Sequence, residues 1–551
     1  MKGKKILTGL LAVCTVLGMC SGCGSQSGSS TPQQSASAAA PVESAAETAA
    51  ATAAPAAAST NEEPAGLTLP LTEEPVTLTE WWGGFDSDQI GVADPSEVLV
   101  SQEAEKRTGI HVDYVTCGTS TAAEVGAIMY ASGEYCDMIA GGTVTYTGGF
   151  EKGVEDGIYI ELNDLIEEGY APNYKAIMDS DPKVAKDAAT DSGKYIAFWQ
   201  ISDNPQWPWF GILGRGDWLE ELNLDTPKTY DQLHDVLKAF KEEKGAQYPL
   251  NMGQDGYGWF QNFLAGCGVS SSWMQKDGEV MYGPVQDGYR QYLEMMQQWF
   301  QEGLMNPDFM SVSMMDNSSI VSGQAGVFLG NYTDCDTYAD LIPGSHVIGF
   351  PEPRLNENDE IHVGQVNARV SSKWVAISTA CEVPELAAQW IDYFYSDEGM
   401  LLNNYGIENE TFQYDADGNI EFTDLITDNP DGLSFQMACW HYIDGGPGVR
   451  SYVWERELMV VSDDCKACED AWSHDGAYMI SDLVTPTAEE SERQSGIMGD
   501  VETYVKEMTL KYITGQESLD NWDEYCDYIW GLGLQDAVDI EQDVLDRYNA
   551  R

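Results

Sequence analysis

From Glu74 onward the chain alternates strand and helix signals in an order that few architectures accommodate. Glu74 to Trp82 reads as a strand, rich in β-branched residues and entered through a proline. Glu97 to Arg107 reads as a helix ended by Gly109, and Ile110 to Val115 alternates as a strand does. Ala122 to Ser132 is a second helix, stopped at Gly133, and Cys136 to Ala140 is a short buried strand running into Gly141-Gly142. Strand, helix, strand, helix, strand implies right-handed crossovers and a largely parallel sheet flanked by helices. A single core rarely grows past roughly 250–300 residues. Residues 67–551 are therefore expected to form at least two lobes.

Further along, Tyr159 to Ile166 leads into a helix and Gly193 to Phe198 reads as a strand after a turn. Thr229 and Gln232 form a capping box before Leu233, Val236, Leu237 and Phe240 at helical spacing. Val383 to Tyr395 is another helix, opened by Pro384. The final stretch is helical and rich in aromatic residues, and no internal repeat is present.

What precedes this body places it outside the cell. Lys2, Lys4 and Lys5 form a positive segment, an apolar run spans Ile6 to Met19, and Cys20-Ser21-Gly22-Cys23 follows. That order is a secretory signal ending in a lipobox, so residues 1–22 are expected to be removed and Cys23 to carry the lipid. Residues 23–66 are almost entirely Ala, Ser, Thr, Gly, Pro, Gln and Glu, too poor in apolar surface to offset chain entropy. They read as a flexible stalk. An ordinary cleaved signal is the alternative; Cys20 stands where a lipobox usually has Leu.

The charge excludes one class of partner. Lys+Arg total 28 against 90 Asp+Glu, a net charge of −62 that repels nucleic acid and anionic lipid. Once Cys14, Cys20 and Cys23 are set aside, an odd number of cysteines remains, which leaves a free thiol or a pairing to another chain. Cys465 and Cys468 are spaced C-x-x-C with no second such pair to complete a zinc site. They share one helix face, or they form a redox pair. The chain carries no phosphate loop, no H-E-x-x-H, no G-x-S-x-G and no G-x-G-x-x-G after a strand. Asp415, Asp417, Gly418, Asn419 and Glu421 sketch a calcium loop without its full ligand pattern; a hairpin turn is the simpler reading. No cofactor and no metal are expected.

Aromatic residues supply the positive signal: 16 Trp, 28 Tyr and 15 Phe, many at strand ends and in loops. Flat rings pack against the C–H faces of sugars, and ligand clefts of open α/β sheets lie at strand C-termini. The candidate ligand-binding residues are Trp81, Trp82, Trp199, Trp207, Trp209, Trp259, Trp273, Tyr332, Trp440 and His441, with Arg369 and Arg450 as hydroxyl-binding cations. Trp81 and Trp82 adjoin Gly83-Gly84, Trp199 is expected at a strand end, and Trp440-His441 in a loop before Gly445-Gly446. For each cation a structural ion pair is the competing role.

A family resemblance rests on residues in a fixed order. Thr108-Gly109-Ile110-His111-Val112, Met129 to Ile139, Leu162-Asn163-Asp164-Leu165-Ile166, Gly193-Lys194-Tyr195-Ile196-Ala197 and Arg215-Gly216-Asp217-Trp218-Leu219 come first. Pro227 to Leu233, Leu237-Lys238-Ala239-Phe240, Tyr512-Ile513-Thr514-Gly515 and Asp546-Arg547-Tyr548 follow. The chain resembles the family 1 extracellular solute-binding lipoproteins of carbohydrate ABC transporters, especially the large oligosaccharide-binding type. The resemblance implies an α/β fold of two lobes, the class II periplasmic-binding-protein-like type, with mostly parallel sheets flanked by helices and a helical C-terminal region. It implies a carbohydrate ligand, membrane permease subunits as partners, attachment to the membrane by lipid alone, no catalysis and a monomer. Boundaries are expected at 67–200 plus 345–405 for one lobe and 201–344 plus 406–551 for the other. Large members often carry a calcium loop after the Lys-Ala-Phe helix; here Lys241 to Leu250 has no Asp or Asn, so none is expected there. A surface glycoside hydrolase and a binder of a non-sugar solute such as a peptide are the rival readings.

Overall fold

The structure is a computed structural model that describes residues 67–551 apart from 142–145, 147, 205–207, 254–258, 313–317, 367, 434, 444–446, 452, 455–461 and 482. The side chains at 88, 89, 259, 340 and 436 are likewise outside the description. In chain order the strands are β1 (Val76–Gly83), β2 (Ile110–Cys117), β3 (Met138–Gly141), β4 (Phe198–Ser202), β5 (Phe210–Arg215), β6 (Leu250–Asn251), β7 (Trp273–Lys276) and β8 (Glu279–Tyr282). They continue with β9 (Val327–Asn331), β10 (Val347–Phe350), β11 (Val370–Ile377), β12 (Phe412–Tyr414), β13 (Ile420–Phe422) and β14 (Val449–Arg450).

Two larger sheets organise the chain. The first is six-stranded, in the order β14-β4-β11-β3-β1-β2, and the second is four-stranded, in the order β10-β5-β9-β6. In the first sheet only β11 runs against its neighbours; β1–β2, β1–β3 and β4–β14 are parallel. The expected strand–helix alternation from Glu74 to Ala140 forms this parallel block. The second sheet departs from the mostly parallel expectation: β5 is antiparallel to both β9 and β10, and β6–β9 is its parallel pair. The Asp415–Asn419 segment is a turn joining antiparallel β12 and β13, with the Asp415 carboxylate accepting from the Asp417 and Asn419 amides.

Period-two alternation puts a different core on each face of each sheet. Leu78, Ile110, Phe198 and Val375 face one core; Trp81, Ile139, Trp374 and Ala376 face another. Phe210, Ile212 and Leu329 of the second sheet face a third, and Leu213, Phe328 and Val347 a fourth. Where a ring must lie flat on the sheet, glycine is required: a Cβ on Gly141 would stand 2.0 Å from the Trp374 indole. The C-terminal helices Ala488–Ile513 and Leu534–Ala550 pack on the second sheet's larger core through Met498, Val501, Tyr512, Leu534 and Leu545. The end of the last helix reaches the first half of the molecule. Tyr548 Oη donates to Asp187 on the Pro182–Ala188 helix, and Arg547 donates to Asp191 at 3.0 Å.

This connectivity moves the expected lobe boundaries. β10 pairs with β5, so residues 347–350 belong with the second sheet rather than the first. Phe412, Phe422, Ile426, Cys439 and Ile443 pack in the core of the first sheet, so the segment after 406 belongs there. Long-range pairing, invisible in local patterns, decides both.

Several carboxyls are buried deeply enough that desolvation outweighs their hydrogen bonds. Desolvation pushes Glu80 up to about 8 and Glu541 up to about 9, and it pushes Asp392 up to about 6 against three amide hydrogen bonds from Asn173 and Tyr174. In the fold these acids hold protons that the unfolded chain has lost. Their contribution is fully present below the unfolded carboxylate range. It is lost as pH rises through about 6 for Asp392 and about 8 to 9 for Glu80 and Glu541. Burial raises Asp217 too, but the Arg215 ion pair outweighs it, so Asp217 acts in the opposite sense and only at more acid pH. The melting temperature is therefore expected to fall between about pH 5 and about pH 9, with Glu541→Gln flattening the slope. Calorimetry across that range checks it.

Candidate ligand cleft

Among the described residues the chain passes between the two sheets three times, and all three passages leave the same edge of the first. β4 ends at Ser202 and β5 begins at Phe210; β10 ends at Phe350 and β11 begins at Val370; β14 ends at Arg450, and the Asp463–Trp472 helix lies beyond it on the second sheet. Because β1, β2, β3, β4 and β14 run one way and β11 the other, that edge carries the C-termini of the parallel strands. This is where open α/β sheets bind ligands.

Hydrogen bonds hold the passages side by side. The Ser202 amide donates to Arg369 O at 2.7 Å, and the Asp203 amide donates to Arg450 O at 3.0 Å. Gln365 Oε1 accepts from the amides of both Trp209 and Phe210, at 3.1 and 3.3 Å. One buried amide side chain thus joins two passages at the edge of the second sheet. Arg369 is committed to this frame: Nε donates to Ser202 O at 2.8 Å and Nη1 to Asp181 at 2.7 Å. Burial raises the Asp181 carboxyl, yet the amides of Val184 and Lys183 and the Arg369 guanidinium hold it below the usual range. Arg369 is held in a structural ion pair.

The wall on the first sheet is polar and glycine-rich. Gly84 has φ 99° and turns the chain after β1. Asp86 accepts from Thr119 N at 3.0 Å and Thr119 Oγ1 at 2.6 Å, tying the loop after β1 to the loop after β2. At the end of β14 the Arg450 guanidinium lies over the Trp454 ring at 4.6 Å, and the Trp454 Nε1 is buried with no partner among the described residues. Across the passages, Trp209 precedes β5, half-buried, with its ring 5.0 Å from Phe260 and 5.7 Å from Phe210. The Tyr332 amide donates to Trp209 O at 3.1 Å. Beside it Asp334, pushed up to about 6 by burial, accepts from Asn331 N at 2.9 Å.

The expected aromatic residues divide. Trp209 stands at the second sheet's edge, and Arg450 stands at the first. Trp82 is half-buried near the end of β1, 5.5 Å from Phe85 and 6.0 Å from Tyr114. Trp81 points to the opposite face and is only 2 % exposed, packed on Gly83, so it is core and no platform. Trp273 is equally buried, edge-on to Tyr282 in the β7–β8 hairpin, and Tyr332 lies in the second sheet's smaller core. Trp199 is not at a strand end: β4 continues to Ser202, and the indole donates to Ala188 O at 3.2 Å with Phe150 against it. Trp440 and His441 lie on the Phe435–Tyr442 helix rather than in a loop, and His441 Nδ1 pairs with Ile90 O at 3.1 Å. Trp207 and Cys23 lie outside the described residues, as does the side chain of Trp259. Gln365, Phe260 and Trp454 were missed. Trp454 carried one signal, its place four residues after a rare cation.

The profile of the bacterial extracellular solute-binding protein family matches residues 91–401. The chain belongs to that family. It is 25% identical over 530 residues to the fructooligosaccharide ABC transporter substrate-binding protein FusA of Streptococcus pneumoniae serotype 4, covering 88% of this chain and 93% of FusA. It is 26% identical over 365 residues to the lipoprotein LipO of Bacillus subtilis, covering 61% of this chain and 68% of LipO. The fold matches that of an HMO-binding, ABC-transporter-associated solute-binding protein from Bifidobacterium longum infantis with a TM-score of 0.70, at 17% identity, over 87% of this chain and 99% of the other.

Proposed function

We propose that this chain captures an oligosaccharide between its two sheet-bearing halves and delivers it to an ABC importer, tethered to the outer face of a membrane through a lipid on Cys23. The observation that carries this is the cleft itself: three adjacent passages at the C-terminal edge of a parallel sheet, with half-buried Trp209 on one side and the Arg450–Trp454 pair on the other. The similarity to a fructooligosaccharide ABC transporter substrate-binding protein over 88% of this chain supports a carbohydrate. Similarity to LipO and the lipobox at Cys20 to Cys23 support the anchor. Binding proceeds by closure about the passages, so affinity comes from contacts made only when both walls meet the ligand. The chain binds and releases its sugar intact.

A thermal-shift screen against neutral and uronic oligosaccharides tests this. A true ligand at 100 times its dissociation constant adds about 2.7 kcal/mol of stability. The ligand recovered after incubation is expected to be unchanged in mass. Shortened products would make the protein a hydrolase, and a peptide hit with no sugar hit would remove the carbohydrate reading.

A further inference from the structure

Three thiols meet beneath the second sheet, one of them far along the chain from the other two. Cys335 lies on the Asp334–Leu341 helix after β9, and Cys465 and Cys468 lie on the Asp463–Trp472 helix after the third passage. All three are buried, at 3 %, 0 % and 0 % exposure. Cys335 Sγ and Cys468 Sγ are 3.7 Å apart, in van der Waals contact. Cys465 is engaged differently: its thiol donates to the Asp336 carboxylate at 3.2 Å. The hydrogen bond with Cys335, burial and that carboxylate hold the Cys465 thiol well above the usual thiol range. The Cys335 thiol is likewise held above the usual range; what singles out Cys468 is its 3.7 Å approach to Cys335.

We propose that Cys335 and Cys468 form a disulfide in the exported protein, with Cys465 retained as a thiol beside it. The chemistry is exchange with a small-molecule or protein disulfide of the exported compartment. One cysteine thiolate attacks a sulfur of that donor and displaces its first thiol. The second cysteine then attacks the mixed disulfide and displaces the second. The two hydrogens lost by the cysteines end on the two thiols of the reduced donor. Burial of all three sulfurs places the exchange during folding, before the core closes over them. The bond would span 133 residues of chain. It would fasten the helix that receives the third passage to the helix that follows β9. That receiving helix already grips the sheet: Trp472 Nε1 donates to Ile212 O and Phe350 O at 3.2 and 3.1 Å, and Cys468 lies against Gly349 of β10.

Trypsin separates the two candidates, because Lys466 lies between Cys465 and Cys468. The full chain, exported through its own signal, is denatured without reductant, alkylated, digested and analysed by mass spectrometry. The expected result is a crosslink from the Cys335 peptide to the peptide beginning at Ala467, with Cys465 alkylated. Reductant should lower the melting temperature of the wild type and leave Cys335→Ser unchanged. Alkylation of Cys335 and Cys468 without reduction overturns the proposal, and so does a crosslink from Cys335 to the Cys465 peptide.

Discussion

Trp209→Ala is expected to weaken oligosaccharide binding by about 2–4 kcal/mol, the range of a central aromatic anchor, or about 30- to 900-fold in Kd. The ring stands half-buried at the edge of the second sheet, beside Phe260 and at the mouth of the first passage. Its backbone is fixed independently of the ring: the amide donates to Gln365 and the carbonyl accepts from Tyr332. Truncation therefore removes a flat apolar face without releasing the strand. Trp209→Phe should recover part of the affinity, since a ring remains for the C–H faces of a sugar. Titration calorimetry of the three proteins with the sugar selected by the screen measures this. Equal affinities in all three would make Trp209 a packing residue.

Trp81→Ala is expected to do the reverse. The indole is buried on the first sheet's second core, beside Met129, Ile139 and Trp374. Removing it leaves a cavity in a region that Gly83 is shaped to receive, at a cost of about 3–5 kcal/mol of stability. The molecules that remain folded should bind sugar with unchanged affinity. Denaturant unfolding with a parallel titration separates the two effects. A stable variant that has lost binding would return Trp81 to the cleft.

The contrast between neighbours shows what local pattern can carry. Period two tells that Trp81 and Trp82 lie on opposite faces of β1, and the structure agrees. It does not tell which face is covered. That depends on the Gly149–Glu155 helix, whose Phe150 packs on Trp374 and Tyr159 in the core that holds Trp81. The opening strands and helices were legible because each has its own period and its own glycine stop. β4 was displaced, running from Phe198 to Ser202 rather than ending at Phe198, because pairing with β11 and β14 sets its register. The pairing of β10 is equally invisible to local pattern, its partner lying far away at Ile212 to Arg215. Gln365 was invisible, since nothing local marks an amide that accepts from two amides of another passage.

The central claim is capture by closure, and solution scattering tests it most directly. The account predicts that saturating oligosaccharide shrinks the radius of gyration of the wild type, and that Trp209→Ala needs a higher sugar concentration to reach the same compact profile. An unchanged scattering profile under saturating, calorimetrically confirmed sugar would contradict it.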